Sequence, residues 1–271
     1  MTRRRLLVVA VAVLAAASAA VARGAGSEPP TLQLGRLTVA LSMPSPGFQV
    51  GAVKGRQVIL AKGFEVDLVK ALARKLRIKH VDFVNERKFS SLYARGEKLW
   101  DLAVAAVTIT PARQANVDFS IPYLNADAGV LVRNGLPVRP RSIADLRKLR
   151  LCSERGTTSA DLITETIAPE KKPFLYTTAN LLLQRVQTGA CDAAVYDLPI
   201  LAALRAQIPD RYGPLVGRIV TGEQYGLVFP KGSPLRPLVD EALQALLAGP
   251  TVNSLERKWL QLDPGRLPVL S

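Results

Sequence analysis

Histidine is almost absent from this chain: His80 is the one example in 271 residues. It follows a basic helical stretch, so no Ser/His or Cys/His dyad for nucleophilic catalysis can be assembled around it. Cysteine is nearly as scarce, with Cys152 and Cys191 alone. No Cys/His group has metal-ligand spacing, no P-loop or dinucleotide fingerprint occurs, and neither a metal nor another cofactor is expected. Aromatic residues make up 6 %, few for a surface that stacks bases. The formal charge is +14, yet Lys and Arg are scattered through helices and loops rather than gathered in a block. That charge bears on solubility and encounter, not on a nucleic-acid partner. Beyond the N-terminus, no apolar run is long enough to cross a bilayer.

What is present begins with an export signal. Arg3-Arg4-Arg5 is a positive n-region, Leu6 to Ala19 an apolar core of secretory length, and Ala20-Val21-Ala22 an A-x-A cleavage site. Residues 1–22 therefore read as a signal peptide, with a mature chain from near Arg23. Thr2-Arg3-Arg4 also fits a twin-Arg signal, as a basic n-region does. No Cys follows the apolar core, so a lipid anchor is not expected, and the mature protein should be periplasmic or secreted. In that oxidising setting Cys152 and Cys191 can form one disulfide; two buried thiols is the other reading.

The chain is organised around Trp100 to Tyr123. Asp101 to Val107 reads as a strand buried on both faces of a parallel sheet. Thr108-Ile109-Thr110 is its polar exit, and Thr110-Pro111 opens a short helix that holds Arg113 in its first turn. Before it come a strand over Leu37–Leu41, a Pro/Gly loop over Ser42–Gly55 carrying Phe48 as a pocket wall, an amphipathic helix over Gly63–Arg77, a strand over Val81–Val84 and a helix over Phe89–Arg95. After Tyr123 a second α/β unit follows. Its strands are Gly129–Val132, Arg150–Ser153, Phe174–Tyr176 and Cys191–Val195. Ser142 and Asp145 form a capping-box pattern, Thr178 caps a helix through Gln187, and Pro199 opens another. The chain then reads as a strand over Gln224–Phe229 and helices over Leu235–Leu247 and Val252–Leu260. Two extended crossings, Tyr123–Asp127 and Thr221–Tyr225, bracket the second unit. If the C-terminal helices return to the first, the chain forms two lobes that close like a hinge. The boundaries are then 31–124 with 224–271 for lobe one and 125–223 for lobe two.

Ligands of open α/β sheets bind beyond the carboxyl ends of strands. Lobe one offers Arg113, the Thr108 hydroxyl and the Ala106 carbonyl there. Lobe two offers the Gly156-Thr157-Thr158-Ser159 turn at a helix N-terminus, suited to a carboxylate or phosphate, and Asp197, suited to an ammonium. An anion site beside a lone carboxylate matches an α-amino acid zwitterion. Each part also has an ordinary structural reading: Arg113 as a surface ion pair, the turn as a capped helix, Asp197 as the N-cap of the helix at Pro199. Glu154 with Asp197 could form an acid/base pair, or Glu154 could be a solvated strand end.

Five segments in order carry a family likeness: Gly63–Leu68, Asp101–Tyr123, Arg155–Ser159, Cys191–Asp197 and Gln224–Gly232. With them the chain resembles the bacterial extracellular solute-binding proteins of family 3, the amino-acid receptors of ABC importers. The resemblance implies a two-lobe periplasmic-binding-protein fold of type II, with two open α/β sheets joined by two hinge strands. It implies Arg113 on the ligand carboxylate, helped by Thr108 and by Thr157, Thr158 and Ser159. It places Asp197 on the ammonium and Phe64 along the side-chain pocket. It also supports the Cys152–Cys191 disulfide. The expected partners are one small amino acid and the membrane permease of an ABC importer, served by a monomer that is not an enzyme. Two positions depart from the family pattern: Ser42-Met43-Pro44-Ser45 lacks the acid and aromatic often found there, and Ala106 stands where Gly is common. Arg155 beside the turn points to an acidic or polar ligand. The alternatives are an exported cyclohexadienyl or arogenate dehydratase-like enzyme on the same scaffold, with Glu154 as its acid, and a ligand-sensing accessory protein.

Overall fold

Leu37, Val39, Ala40 and Leu41 are fully buried in the strand Arg36–Leu41, which lies at the centre of the larger of two main sheets. In spatial order that sheet runs Val50–Lys54, Gln57–Lys62, His80–Asn85, Arg36–Leu41, Leu102–Ala103, Val228–Phe229 and Asp118–Phe119. The computed structural model describes residues 28–208, 211–261 and 267–271; the signal segment 1–22 and the start of the mature chain at Arg23 lie outside them. The three central strands are parallel and their flanking partners antiparallel, so the sheet is mixed rather than parallel.

The strand expected over Asp101–Val107 is far shorter, Leu102–Ala103. Ala106 adopts φ +50°, which ends the extended run and carries Thr108 to a bridge with Tyr225. The expected loop Ser42–Gly55 contains the strand Val50–Lys54, which pairs with Gln57–Lys62 as a hairpin. Both strands are largely exposed, so their residues show no apolar alternation. The loop is a pocket wall through Ser42–Ser45, but Phe48 is not part of that wall. It is fully buried, with its ring edge-on to Phe64 at 5.8 Å and to Tyr225 at 6.2 Å.

The amphipathic helix is Phe64–Lys75, with Val66, Leu68, Val69 and Leu72 buried. The helices Arg236–Ala248 and Thr251–Trp259 pack against it. Lys258 Nζ and Trp259 Nε1 donate to Asp67 Oδ2 at 2.8 and 2.9 Å and fasten the last helix there.

The smaller sheet runs Phe174–Tyr176, Leu151–Glu154, Ala193–Asp197, Ala128–Val132 and Leu215–Ile219. The first three strands are parallel, and Ala128–Val132 runs antiparallel to both of its neighbours. Leu215–Ile219 was not foreseen; it is an edge strand with a register shift between Leu215 and Gly217. Cys152 and Cys191 are joined as a disulfide with Cα atoms 6.1 Å apart, so the disulfide reading holds.

Between the sheets, Leu124–Asn125 pairs antiparallel with Gln224–Tyr225. The strand expected over Gln224–Phe229 is split at Gly226, where a Cβ would lie 2.9 Å from the Ile109 side chain. Asp127 braces the ribbon: its carboxylate accepts from Thr221 N at 3.0 Å and pairs with Arg218 at 2.8 Å. The last residues, 268–271, lie against the smaller sheet. Leu270 N donates to Arg218 O at 2.8 Å, and the Leu270 side chain is buried in the core of the smaller sheet. Residues 268–271 thus pair with the second unit and not with the first, where 224–271 was placed as a whole.

Candidate ligand-binding site

The carboxyl ends of the central strands of both sheets face one cleft, with a cavity of about 120 Å³. From the larger sheet come Ala106, Thr108 and Arg113; from the smaller come Glu154, Thr157, Thr158 and Asp197. Thr110 forms the expected N-cap of Pro111–Gln114, its Oγ accepting from Arg113 N at 3.2 Å. That cap roots Arg113 at the cleft. Its guanidinium donates to Thr108 O at 2.9 Å and to Gly156 O at 3.3 Å, and lies 4.4 Å from the centre of the Tyr93 ring and 5.6 Å from that of Phe89. Arg113 is therefore no surface ion pair. It is buried, held by carbonyls and aromatic faces.

Asp197 precedes the helix Leu198–Gln207, but its side chain does not cap that helix. The carboxylate turns into the cleft, where Oδ1 accepts from Ser159 Oγ at 2.9 Å and Oδ2 from Tyr225 OH at 2.5 Å. Burial pushes this carboxyl up; the bonds from Tyr225 and Ser159 and the charge of Arg113 oppose the rise. An ammonium arriving here would supply the missing positive partner.

Thr157 caps the helix that starts at Thr158, accepting from Ala160 N at 3.2 Å and donating to Glu154 O at 2.7 Å. The cap reading is therefore right for Thr157; Ser159 is spent on Asp197 within its own lobe and does not line the cavity, and Thr158 is left to reach across. Thr158 Oγ donates to Glu223 Oε2 at 2.6 Å, and Thr108 Oγ donates to the same oxygen at 3.1 Å. Glu223, on the hinge segment, thereby links a hydroxyl from each sheet. Tyr93 OH also crosses the cleft, donating to Gly156 O at 2.8 Å.

Glu154 is a buried strand end, not a solvated one. Its Oε2 accepts from Tyr196 OH at 2.8 Å. Desolvation pushes its carboxyl up to about 7; the Tyr196 bond lowers it and the neighbouring Asp197 charge adds to the rise.

Two expected roles fail on geometry. Phe64 does not line the cavity; it is fully buried between Phe48 and the Tyr123 ring, 6.2 Å away. The reason is the helix face: Phe64 starts the helix on its core side. Arg155 is exposed and donates to Leu175 O at 3.4 Å, so the hint it gave toward an acidic ligand has no structural footing. Glu223, Tyr93, Tyr225 and Arg87 were not foreseen. The first two carry a faint sequence signal, Glu223 from its place in a hinge crossing and Tyr93 from standing four residues after Phe89.

Two sheets, a paired ribbon between them and a polar cleft at facing strand ends define a hinged binding protein. The chain belongs to the bacterial extracellular solute-binding proteins, family 3, which it matches over residues 37–262. It is similar to an ABC transporter glutamine-binding protein, GlnH, from Bacillus subtilis, at 27 % identity over 209 residues, 75 % of this chain and 74 % of that one. Among solved structures, it is similar to an ancestral arginine-binding protein bound to arginine, with TM-score 0.70, 29 % identity, and coverage of 83 % of this chain and 98 % of the other. The ancestral amino acid-binding protein AncCDT-1, a precursor of cyclohexadienyl dehydratase, matches with TM-score 0.70 and 30 % identity over 83 % of this chain and 96 % of its own.

Proposed function

We propose that this protein captures a single L-amino acid with a polar side chain between its two lobes, 31–124 with most of 224–271 and 125–223. It then delivers the ligand to the membrane permease of an ABC importer. The observation that carries the reading is the facing pair of Arg113 and Asp197 in one cavity. Arg113 can grip a carboxylate through two parallel N–H bonds, and Asp197 is a buried acid met by two hydroxyls and by no ion pair among the described residues. Thr108, Thr158 and the Ala106 carbonyl offer further polar contacts. Residues 1–22 carry the export signal for a periplasmic or secreted site of action, and a monomer suffices because both halves of the cleft come from one chain.

A dehydratase on the same scaffold is a second reading, favoured by one observation. Glu154, held near pH 7 at the cavity wall, suits a general acid. A thermal-shift panel of the common amino acids, with prephenate and arogenate included, separates the two, since a ligand that binds the folded state raises its melting temperature. A rise with amino acids and no ring product from prephenate or arogenate is the expected result. Turnover of either compound would move the protein to the enzyme class.

A further inference from the structure

An amino acid bound as proposed places its carboxylate on Arg113 and its ammonium on Asp197. One charge-bearing group at the buried cavity wall then stays uncompensated: Glu154. The protein gives its carboxyl two donors, Tyr196 OH at 2.8 Å and the Ala179 backbone N–H. A carboxylate can accept about four, so Glu154 retains capacity toward the cavity it lines. Arg87, the other unmatched charge of the lining, is exposed and keeps its solvation. Met43 and Ile200 line the same cavity and offer apolar contact to methylenes, while Asn180 adds a side-chain amide.

The side chain of the ligand must answer this wall. An acidic one would set two carboxylates in a desolvated space. A neutral one would leave the ionised form of Glu154 without a charge partner, and an unpaired buried charge is costly. A cationic one pairs with it. Resting on the amino-acid reading above, we infer that Glu154 grips the positive end of a basic side chain, so that the ligand is an arginine- or lysine-like amino acid. The first strand's loop, Ser42–Ser45, carries no acid; the counter-charge comes instead from the strand Leu151–Glu154 of the opposite lobe.

This role has a proton signature. The charged and titratable groups around Glu154 are Tyr196 and Asp197 on the adjacent strand and Tyr93, Arg113 and Arg87 from the facing lobe. The helix Ala179–Gln187 presents a backbone N–H and Asn180, neither of which titrates. Near neutral pH the proton therefore moves on Glu154 while the tyrosines, raised by burial, keep theirs. A cation selects the ionised form, so its binding releases a proton and strengthens as pH rises.

Isothermal titration of the purified protein with L-arginine, L-lysine, L-glutamine and L-glutamate, at pH 6 and pH 8, tests the inference. Arginine or lysine should bind tightest at pH 8 and weaken about tenfold at pH 6, the change in ionised fraction across a midpoint near 7. Glu154→Gln should cost arginine or lysine about tenfold or more at pH 8, the worth of a charge-assisted bond, and flatten the pH profile. Glu154→Asp should restore part of both. Melting curves check that the variants fold, and the pH profile of the unaltered protein stands without them. Tighter binding of glutamine or glutamate, or a basic preference that survives in Glu154→Gln, overturns the role of Glu154 and leaves an amino-acid receptor. Silence toward all four with a melting-temperature rise for another common amino acid overturns this inference alone, and silence toward every common amino acid overturns the amino-acid reading with it.

Discussion

Ala106 is held at φ +50°, a conformation that costs a residue with a Cβ about 1–2 kcal/mol. The site depends on it. The turn aims Ala106 N at Glu65 Oε1, 2.6 Å away, and sets Thr108 and Arg113 at the cleft. Glu65 is fully buried and also accepts from Gln49 Nε2 at 2.7 Å and from Tyr123 OH, so one carboxyl ties the strand end, the first loop and the hinge. Ala106→Gly should keep these bonds and remove the strain. Part of the gain returns to the freer unfolded chain, which leaves a net stabilisation of about 0.5–1 kcal/mol. Calorimetry should show a melting temperature about 1–3 °C higher; a lower one would mean that Ala106 carries no strain to relieve. Arg113→Ala tests the opposite case. With the ligand carboxylate on Arg113 as proposed, the variant strips its charge partner, a loss of about 2–5 kcal/mol. Titration should find binding weakened at least about thirtyfold with the fold intact by circular dichroism, and unchanged affinity would place the ligand elsewhere.

At the level of elements, the disulfide carries the clearest energetic claim. It joins Leu151–Glu154 to the start of Ala193–Asp197 across 39 residues, in the pair of strands that present Glu154 and Asp197. Closing a loop of that length removes unfolded-state entropy worth about 4 kcal/mol in the chain-entropy account. The double variant Cys152→Ala/Cys191→Ala should therefore unfold at lower denaturant with a loss of about 2–4 kcal/mol, and an unchanged midpoint would show that the bridge constrains nothing. Elements with a buried stripe or a cap were readable from residues alone: Phe64–Lys75 from its apolar spacing, Ala179–Gln187 from Thr178, Ile143–Arg147 from Ser142, whose Oγ accepts from Asp145 N. Elements set by partners were not. The hairpin Val50–Lys62 is exposed along most of its length, Leu215–Ile219 bends at Gly217 to admit Leu270, and Asp101–Val107 looked extended because nothing local announces a left-handed alanine. The site divides the same way. Arg113, Thr157 and Asp197 sit at strand ends and caps, which are local features; Tyr93 and Glu223 reach the cleft through tertiary placement, and Phe64 could be assigned a face only once the helix had neighbours.

For the molecule as a whole, the cleft concentrates buried acids in a chain of formal charge +14. Glu65, Glu154, Asp197 and Glu223 are all raised by desolvation, Glu154 to about 7. Their folded forms hold protons that the unfolded chain releases near its ordinary carboxylate values, 4.5 for Glu and 3.8 for Asp. A raised acid contributes no penalty below its unfolded value and destabilises progressively as pH climbs toward its folded one. Asp67, Asp118 and Asp192 run the other way: against the rise from burial, Asp67 is lowered by Lys258, Asp118 by the Gly232 backbone N–H and Lys231, and Asp192 by Arg150. Their support is complete above the ordinary Asp value and is lost only in acid, so it does not change between pH 5 and 8. In that window the raised acids decide the slope, those at and behind the cleft together with Asp101 and Glu256, which burial also raises. The unliganded protein should melt higher at pH 5 than at pH 8, and scanning calorimetry across the range should trace the fall. Glu154→Gln should remove the part of the slope that ends near 7, and a ligand cation should offset it by giving the ionised carboxylate a partner. A melting temperature that climbs from pH 5 to 8 without ligand would mean that the cleft carboxyls are solvated and ionised throughout. The closed contacts among Tyr93, Gly156, Glu223 and the two threonines would then not exclude water from the site.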